Sequence, residues 1–303
     1  MRFTTRVFTF AKFATCIAML SAADARADTY TIDAGGNQDW APTSGGFLQE
    51  SAFPPVANAG TMSDSSGSAS VLAVSDAGSI RAMLSGNHTA APLFTARFAP
   101  HVLASASGTI TFSGPAGIVV TRPNFHVSGQ ITHPDTTAYD LEETNMFFTF
   151  SMETVVSDRI FGASVKNGAP AVDVNQFNGF NISTSGSTFS IGGTGTTQID
   201  LNVPVGVPIN TRFALGLRNQ LLSNGLAGSS SFSADFGSTA SWATTGPVFN
   251  LPEGYTVNGF GIVDNHFVGI PEPTSIVLCI FGVLSVGVLR DRRRLDPVGG
   301  VNK

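Results

Sequence analysis

Gln198-Ile199-Asp200-Leu201-Asn202-Val203 alternates polar and apolar side chains without a break. Successive side chains of an extended strand point to opposite faces, so a period of two describes a strand with one face in a core and one in water. The same period returns at Phe213, Leu215 and Leu217, at Phe148, Phe150 and Met152, at Phe189 and Ile191, and at Phe232, Ala234 and Phe236. Asn167-Gly168, Asn178-Gly179, Gly192-Gly193 and Asn224-Gly225 punctuate these runs, and such pairs suit tight hairpins and loops. Upstream, Ala69 to Val74, Ser79 to Leu84, Leu93 to Phe98, Gly108 to Phe112, Gly117 to Thr121 and Asn124 to Gln130 are short strand-like runs broken by Gly, Pro, Asn or Ser. About a dozen short strands with turn chemistry between them predict an all-β fold, an antiparallel β-sandwich of jelly-roll type. Ile199, Leu201, Phe213, Leu215 and Leu217 are its expected core. Helix is expected only as single turns, in Thr136 to Met146 and in Arg218 to Leu226.

The two ends of the chain have a different composition. Arg2, Arg6 and Lys12 precede a short apolar run, Phe13 to Leu20, and small residues then lead to Ala25-Arg26-Ala27. A basic start, a brief apolar centre and an A-x-A site make residues 1 to 27 a secretory signal peptide, cut after Ala27 by signal peptidase. At the other end Pro271-Glu272-Pro273 leads into an uncharged, mostly apolar run, Ile276 to Leu289, and Arg290, Arg292, Arg293 and Arg294 follow it. The prolines keep the approach extended, because their rings fix φ and disfavour helix in the residue before. As a helix the run measures about 21 Å at roughly 1.5 Å per residue, short of the roughly 30 Å hydrocarbon core. Snorkelling arginines and local thinning accommodate that mismatch, and the arginines hold their end on the cytoplasmic side. The expected order is therefore an exported region from 28 to 270, a sorting segment from 271 to 294 with a single transmembrane helix over 276 to 289, and a cytoplasmic tail from 295 to 303.

The Pro-Glu-Pro triplet, apolar run and arginine cluster together resemble the PEP-CTERM sorting signal. The resemblance implies processing by an exosortase, a membrane-embedded transpeptidase-like enzyme, in an exopolysaccharide-rich setting. The tail Leu295 to Lys303 departs from the pattern, since relatives typically stop soon after the basic cluster. Ser233-Ala234-Asp235-Phe236 and Leu251 to Asn258 (LPEGYTVN) look like the closing strands of many PEP-CTERM ectodomains. The family shares an address and a scaffold rather than a reaction, so no catalytic residue follows from it.

Residues 28 to 270 contain no cysteine; Cys16 and Cys279 lie in the signal and the apolar run. Disulfides, thiolate nucleophiles and cysteine-bound metals are thereby excluded from the exported region, which must be held by burial alone. That region has seven Lys and Arg against seventeen Asp and Glu, a balance of about −10, which argues against nucleic acid as a partner. From 28 to 70 the turn-rich composition predicts looser order, with Trp40 and Phe47 as anchors.

Several groups carry candidate chemistry. His126, His133 and Asp135 cluster in sequence and could offer metal ligands, or simply flank a Pro134-Asp135 turn. Asp173 to Gly179 offers oxygen ligands of the kind calcium takes, although Phe177 occupies one ligand place. A glycosidase needs two carboxylates facing a sugar, and Asp140, Glu142, Glu143 and Glu153 are the densest acidic group. Adjacent Glu142 and Glu143 would leave opposite faces of a strand. Trp40, Trp242, Tyr139 and Tyr255 are candidates for stacking on sugar faces or for the core. The expected role is structural or binding at the cell surface or in the extracellular matrix, without catalysis or cofactor and with extracellular polysaccharide as a candidate partner. The alternatives are a secreted polysaccharide-active hydrolase and a calcium-dependent adhesion module.

Overall fold

The structure is a computed structural model, and it describes residues 29–35, 47–51, 55–63, 67–90, 97–136, 138–152 and 155–268. The chain begins with β1 (Thr29–Gly35), β2 (Phe47–Ser51), β3 (Val56–Ser63), β4 (Gly67–Asp76), β5 (Ser79–Ala90), β6 (Arg97–Phe98) and β7 (His101–Ser113). Next come β8 (Ile118–Thr121), β9 (Asn124–Thr132), β10 (Tyr139–Met152), β11 (Val155–Lys166), β12 (Ala169–Asn175) and β13 (Phe177–Asn178). Then follow β14 (Asn181–Ser185), β15 (Thr188–Gly192), β16 (Thr194–Thr197), β17 (Leu201–Pro204), β18 (Pro208–Ser223) and β19 (Gly228–Trp242). The last strands are β20 (Thr256–Asn258), β21 (Ile262–Val263) and β22 (His266–Phe267). The described residues form an all-β protein with antiparallel pairing throughout and no helix.

One large sheet runs β12-β11-β10-β18-β7-β1-β2, with β20 on β7 and β6 on β18. The second runs β13-β16-β9-β19-β5-β4-β3, with β15 also on β9 and β14 on β15. Small ribbons, β8 with β17 and β21 with β22, lie outside them. The chain passes repeatedly between the layers: β9 and β19 belong to the second sheet, whereas the neighbouring β10 and β18 belong to the first.

The core follows from the alternation. Phe213, Leu215 and Leu217 of β18 are buried, and their register partners on β7 are Ala106, Ala104 and Val102. Small residues beside large ones on the same face leave room for side chains from the opposing sheet. Phe125 of β9 fills it, with ring centroids 5.1 Å from Phe148, 5.2 Å from Phe150 and 6.1 Å from Phe213. Trp242 of β19 stacks on Phe125 at 4.9 Å and meets Phe213 edge-on at 5.4 Å, so aromatic rings from both sheets form one sandwich-like interior. An irregularity between Phe236 and Ala240 of β19 accompanies a close approach to β9, where a Cβ on Gly129 would lie 2.3 Å from the Phe236 ring. Only glycine leaves that space for the ring.

Three expectations need revision. The stretch Gln198 to Val203 becomes a strand only from Leu201, in the small ribbon rather than a large sheet, and Ile199 is half-buried. The helical turn expected in Thr136 to Met146 is β10 from Tyr139 onward, and Glu142 and Thr144 on its inner face are fully buried. The turn expected in Arg218 to Leu226 is the end of β18, with Asn219 and Ser223 buried, followed by a bend at Gly225-Leu226. In both cases polar residues share the inward face with apolar ones, Glu142 and Thr144 with Met146 and Asn219 and Ser223 with Leu221, which hid the period of two. Within 28 to 70 the described strands are β1, β2, β3 and the start of β4.

Candidate functional site

The interior changes character along its length. At one end it is aromatic; at the other, His88, His133, Glu142, Thr144, Asn219, Ser223 and Ser230 are buried beside Tyr139. β5, β19 and the residue after β9 bring His88, Ser230 and His133 from the second sheet, and β10 and β18 bring Tyr139, Thr144 and Asn219 from the first. The contacts form two bridges between layers.

In the first bridge the Tyr139 hydroxyl donates to the His88 carbonyl at 3.0 Å and lies 2.8 Å from Nδ1 of the same histidine. With its one proton spent on the carbonyl, the hydroxyl accepts from Nδ1–H. Burial pushes the Tyr139 hydroxyl up to about 12, reinforced by Glu142 and opposed by backbone hydrogen bonds at Ala90 and Ser230.

In the second bridge Asn219 Nδ2 donates to Thr144 Oγ1 at 2.9 Å, and Thr144 Oγ1 lies 2.9 Å from His133 Nδ1. The hydroxyl therefore donates onward to Nδ1. The remaining proton of the neutral ring sits on Nε2, which lies 3.2 Å from Ser230 Oγ. Burial holds His133 at about 4, well below the usual range, against an opposing pull from Asp135. A serine beside a histidine invites comparison with a nucleophile and its base, but here Nε2 donates to the serine instead of taking its proton. Ser230 is 3% exposed and His133 0%. This arrangement joins sheets rather than meeting a substrate.

The acidic candidates separate. Glu142 accepts from the Thr136 backbone N–H at 2.5 Å and from the Thr136 hydroxyl at 2.9 Å, while its own N–H donates to Asn167 Oδ1 at 2.9 Å. It thus ties the segment before β10 to the β11–β12 turn. Asp140 is exposed, Glu143 is half-buried on the other face, and Glu153 lies outside the described residues. His126, His133 and Asp135 do not converge: among the described residues no group of three or more His, Cys, Asp or Glu could hold a metal ion. In the run Asp173 to Gly179, Asp173 accepts from Ser164 at 3.3 Å, Asn175 Oδ1 from the Phe177 N–H at 3.0 Å, and Asn178 Oδ1 from Gln198 at 3.1 Å. Those oxygens serve strand and turn contacts in place of a common centre.

Trp242, a candidate for sugar stacking, is fully buried and donates through Nε1 to the Phe260 carbonyl at 3.1 Å. Tyr139 is also interior, and Tyr255 packs half-buried against the core. Trp40 and the residues of both terminal segments, Ala25, Ala27, Pro271, Glu272, Pro273, Arg290, Arg292, Arg293 and Arg294, lie outside the described residues. So does the apolar run 276 to 289; among the described residues no helix is long and apolar enough to cross a membrane.

The outer face of the second sheet carries a pattern that single-strand reading missed. Cross-strand register aligns Thr61, Ser70, Ser85, Ser233, Thr132, Thr188 and Ser185 in one row across β3, β4, β5, β19, β9, β15 and β14. All seven are exposed or half-buried. With strands about 4.8 Å apart the row spans about 29 Å. Thr132 and Thr188 hydroxyls lie 3.1 Å apart. A shorter parallel row holds Ser63, Ser68, Asn87 and Ser231. The rows together form a broad, uncharged surface of hydroxyls and amides. Polar alternate positions are visible in sequence; their alignment into rows depends on register.

No family model matches this chain, and no curated protein matches it.

Proposed function

We propose that this protein is an exported β-sandwich of jelly-roll type with a structural or binding role, and no catalysis, at the cell surface or in the extracellular matrix. Signal peptidase acts after Ala27, and the PEP-CTERM-like segment, with its short C-terminal transmembrane helix, delivers the chain to an exosortase. Pro271, Glu272 and Pro273 form the recognised triplet, and the arginines from 290 to 294 orient the apolar run. The composition of the two ends supports this route.

The observation that carries the binding role is the seven-strand row of Ser and Thr on the second sheet. An uncharged hydroxyl surface exchanges hydrogen bonds with a hydrated, hydroxyl-rich polymer without desolvating an ion, so the partner proposed is extracellular polysaccharide. The net negative exported region favours neither nucleic acid nor an anionic surface. A hydrolase is supported less: Glu142 is committed to Thr136 and Asn167, and Glu143 leaves the opposite face of β10. A calcium-dependent module is likewise supported less by oxygens already engaged around Asp173 to Gly179.

Retention of the mature protein on the host's own polysaccharide tests this. Ser85→Asp places a single charge within the row, opposite uncharged Ser70 and Ser233, and is expected to reduce retention while leaving the melting temperature close to wild type. Equal retention of both proteins, or turnover of the polymer, would replace the binding role proposed here.

A further inference from the structure

The outer strands of the two large sheets are not equally protected. β2 and β3, the edges of opposite sheets on one side, lie against each other. On the other side β12 carries Pro170 and Asp173, and its register with β11 shifts between Gly162 and Ala163. Proline, charge and irregularity are the devices by which sheet edges resist further pairing. β14, Asn181-Ile182-Ser183-Thr184-Ser185, has none of them. Among the described residues it pairs only with β15, and four of its five residues are exposed.

The hairpin fixes which backbone groups of β14 face outward. Ser185 pairs with Thr188 across the loop Gly186-Ser187, and Gly186 has φ +56°. The pair closing a two-residue hairpin loop exchanges both hydrogen bonds, and bonded and non-bonded pairs then alternate. Asn181, Ser183 and Ser185 therefore bond β15, while Ile182 and Thr184 turn their N–H and C=O groups to the open edge. Ile182 packs against the core from this edge and is only half-covered.

We infer that β14 pairs antiparallel with β14 of a second copy of this chain, joining two second sheets into one. The pairing is isologous, with Ser183 of each copy facing the other on the twofold axis. Centred there, Ile182 of each copy meets Thr184 of the other and Asn181 meets Ser185, so all five residues pair. A slip by one residue would put outward hydroxyls against inward side chains, and a slip by two would lose two of the five pairs. In the centred register Ile182 and Thr184 satisfy each other's open backbone groups, and the second copy covers the exposed flank of Ile182. The hydroxyl-bearing faces of both copies then lie on the same side of one continuous sheet. Five residues bury far less than the roughly 1,200 Å² of a standard stable interface, so the dimer is weak and forms at high local concentration.

The test uses the full chain carrying Cys16→Ser and Cys279→Ser, which has no remaining cysteine. Single cysteines are introduced as Ser183→Cys, Ser185→Cys or Ala171→Cys, the last on the edge strand β12, and concentrated whole-culture extracts of the host, cells and medium together, are oxidised and run on a non-reducing gel. Ser183 faces its symmetry mate in a non-bonded pair with Cα atoms about 4.5 Å apart, within the span of a disulfide. Ser183→Cys is expected to give a band at twice the chain mass, at least about tenfold stronger than the other two, whose mates lie beyond disulfide reach. Adding Thr184→Pro, which removes an outward donor without touching the bonds to β15, is expected to reduce that band to the level of the controls. Absence of the band from Ser183→Cys, equal cross-linking at all three positions, or an adduct with a chain of different mass overturns the inference. Oxidation in the extract makes the result independent of whether the chain is exported or binds polysaccharide.

Discussion

His133 Nδ1 lies 2.9 Å from Thr144 Oγ1, a contact that reaches from the end of β9 in one sheet to β10 in the other. The hydroxyl donates and the ring stays neutral, so this bridge depends on the imidazole's losing its charge on folding. Burial holds His133 at about 4 in the folded protein, below the roughly 6.5 expected in the unfolded chain. The unfolded state therefore binds more protons between these values, and stability falls as pH drops from about 6.5 to about 4. The full loss is about 3 kcal/mol, from roughly 1.4 kcal/mol per unit of difference. Urea midpoints at pH 7 and pH 4.5 measure it. His133→Gln should flatten this part of the profile; an unchanged profile in that variant would assign the acid sensitivity to other groups.

Thr144→Val keeps the shape of the side chain and removes the hydroxyl that serves both His133 and Asn219. Buried polar atoms left without a partner cost about 1 to 3 kcal/mol, and that loss is expected in urea unfolding. Ser85→Ala, on the exposed row, is expected to stay within about 0.5 kcal/mol. Similar effects at the two positions would mean that the bridge contributes nothing beyond surface solvation.

Leu215→Ala opens a cavity beside Phe148 and Ala104, where Leu215 is fully buried. The expected cost is about 2 to 5 kcal/mol, the sum of lost transfer energy and unfilled space. Calorimetry should show a clear drop in melting temperature with the enthalpy still that of one cooperative transition.

Replacing Pro271-Glu272-Pro273 with Ala-Ala-Ala leaves the apolar run and the arginines intact and permits helix to continue backward. An extended, rigid triplet loses less entropy on entering an enzyme groove, so processing should depend on it. In a host with an exosortase, the variant is expected to accumulate at full length while the wild type loses Lys303 with its tail. Mass spectrometry of the C-terminal peptide reads the outcome, and a wild-type protein that keeps Lys303 would replace the sorting signal with a plain anchor.

Local alternation was enough for the all-β character, because the period of two belongs to each strand alone: Phe148, Phe213, Phe232 and their alternate neighbours are all buried. Composition alone determined that no disulfide holds residues 28 to 270 together, since that region has no cysteine. Pairing order was decided elsewhere, because alternation says which face a residue takes but not which strand lies beside it. The best example is Gln198 to Val203, the most regular run, which ends in a two-stranded ribbon with β8. Polar residues in the interior were hidden for a related reason. Glu142, Thr144 and Asn219 look solvated until Thr136 and Asn167 pair with Glu142, His133 with Thr144, and Thr144 with Asn219, and those partners arrive from other elements. Tertiary structure alone also aligned Thr61, Ser85 and Ser185 into one row, since register among seven strands is set by non-local packing.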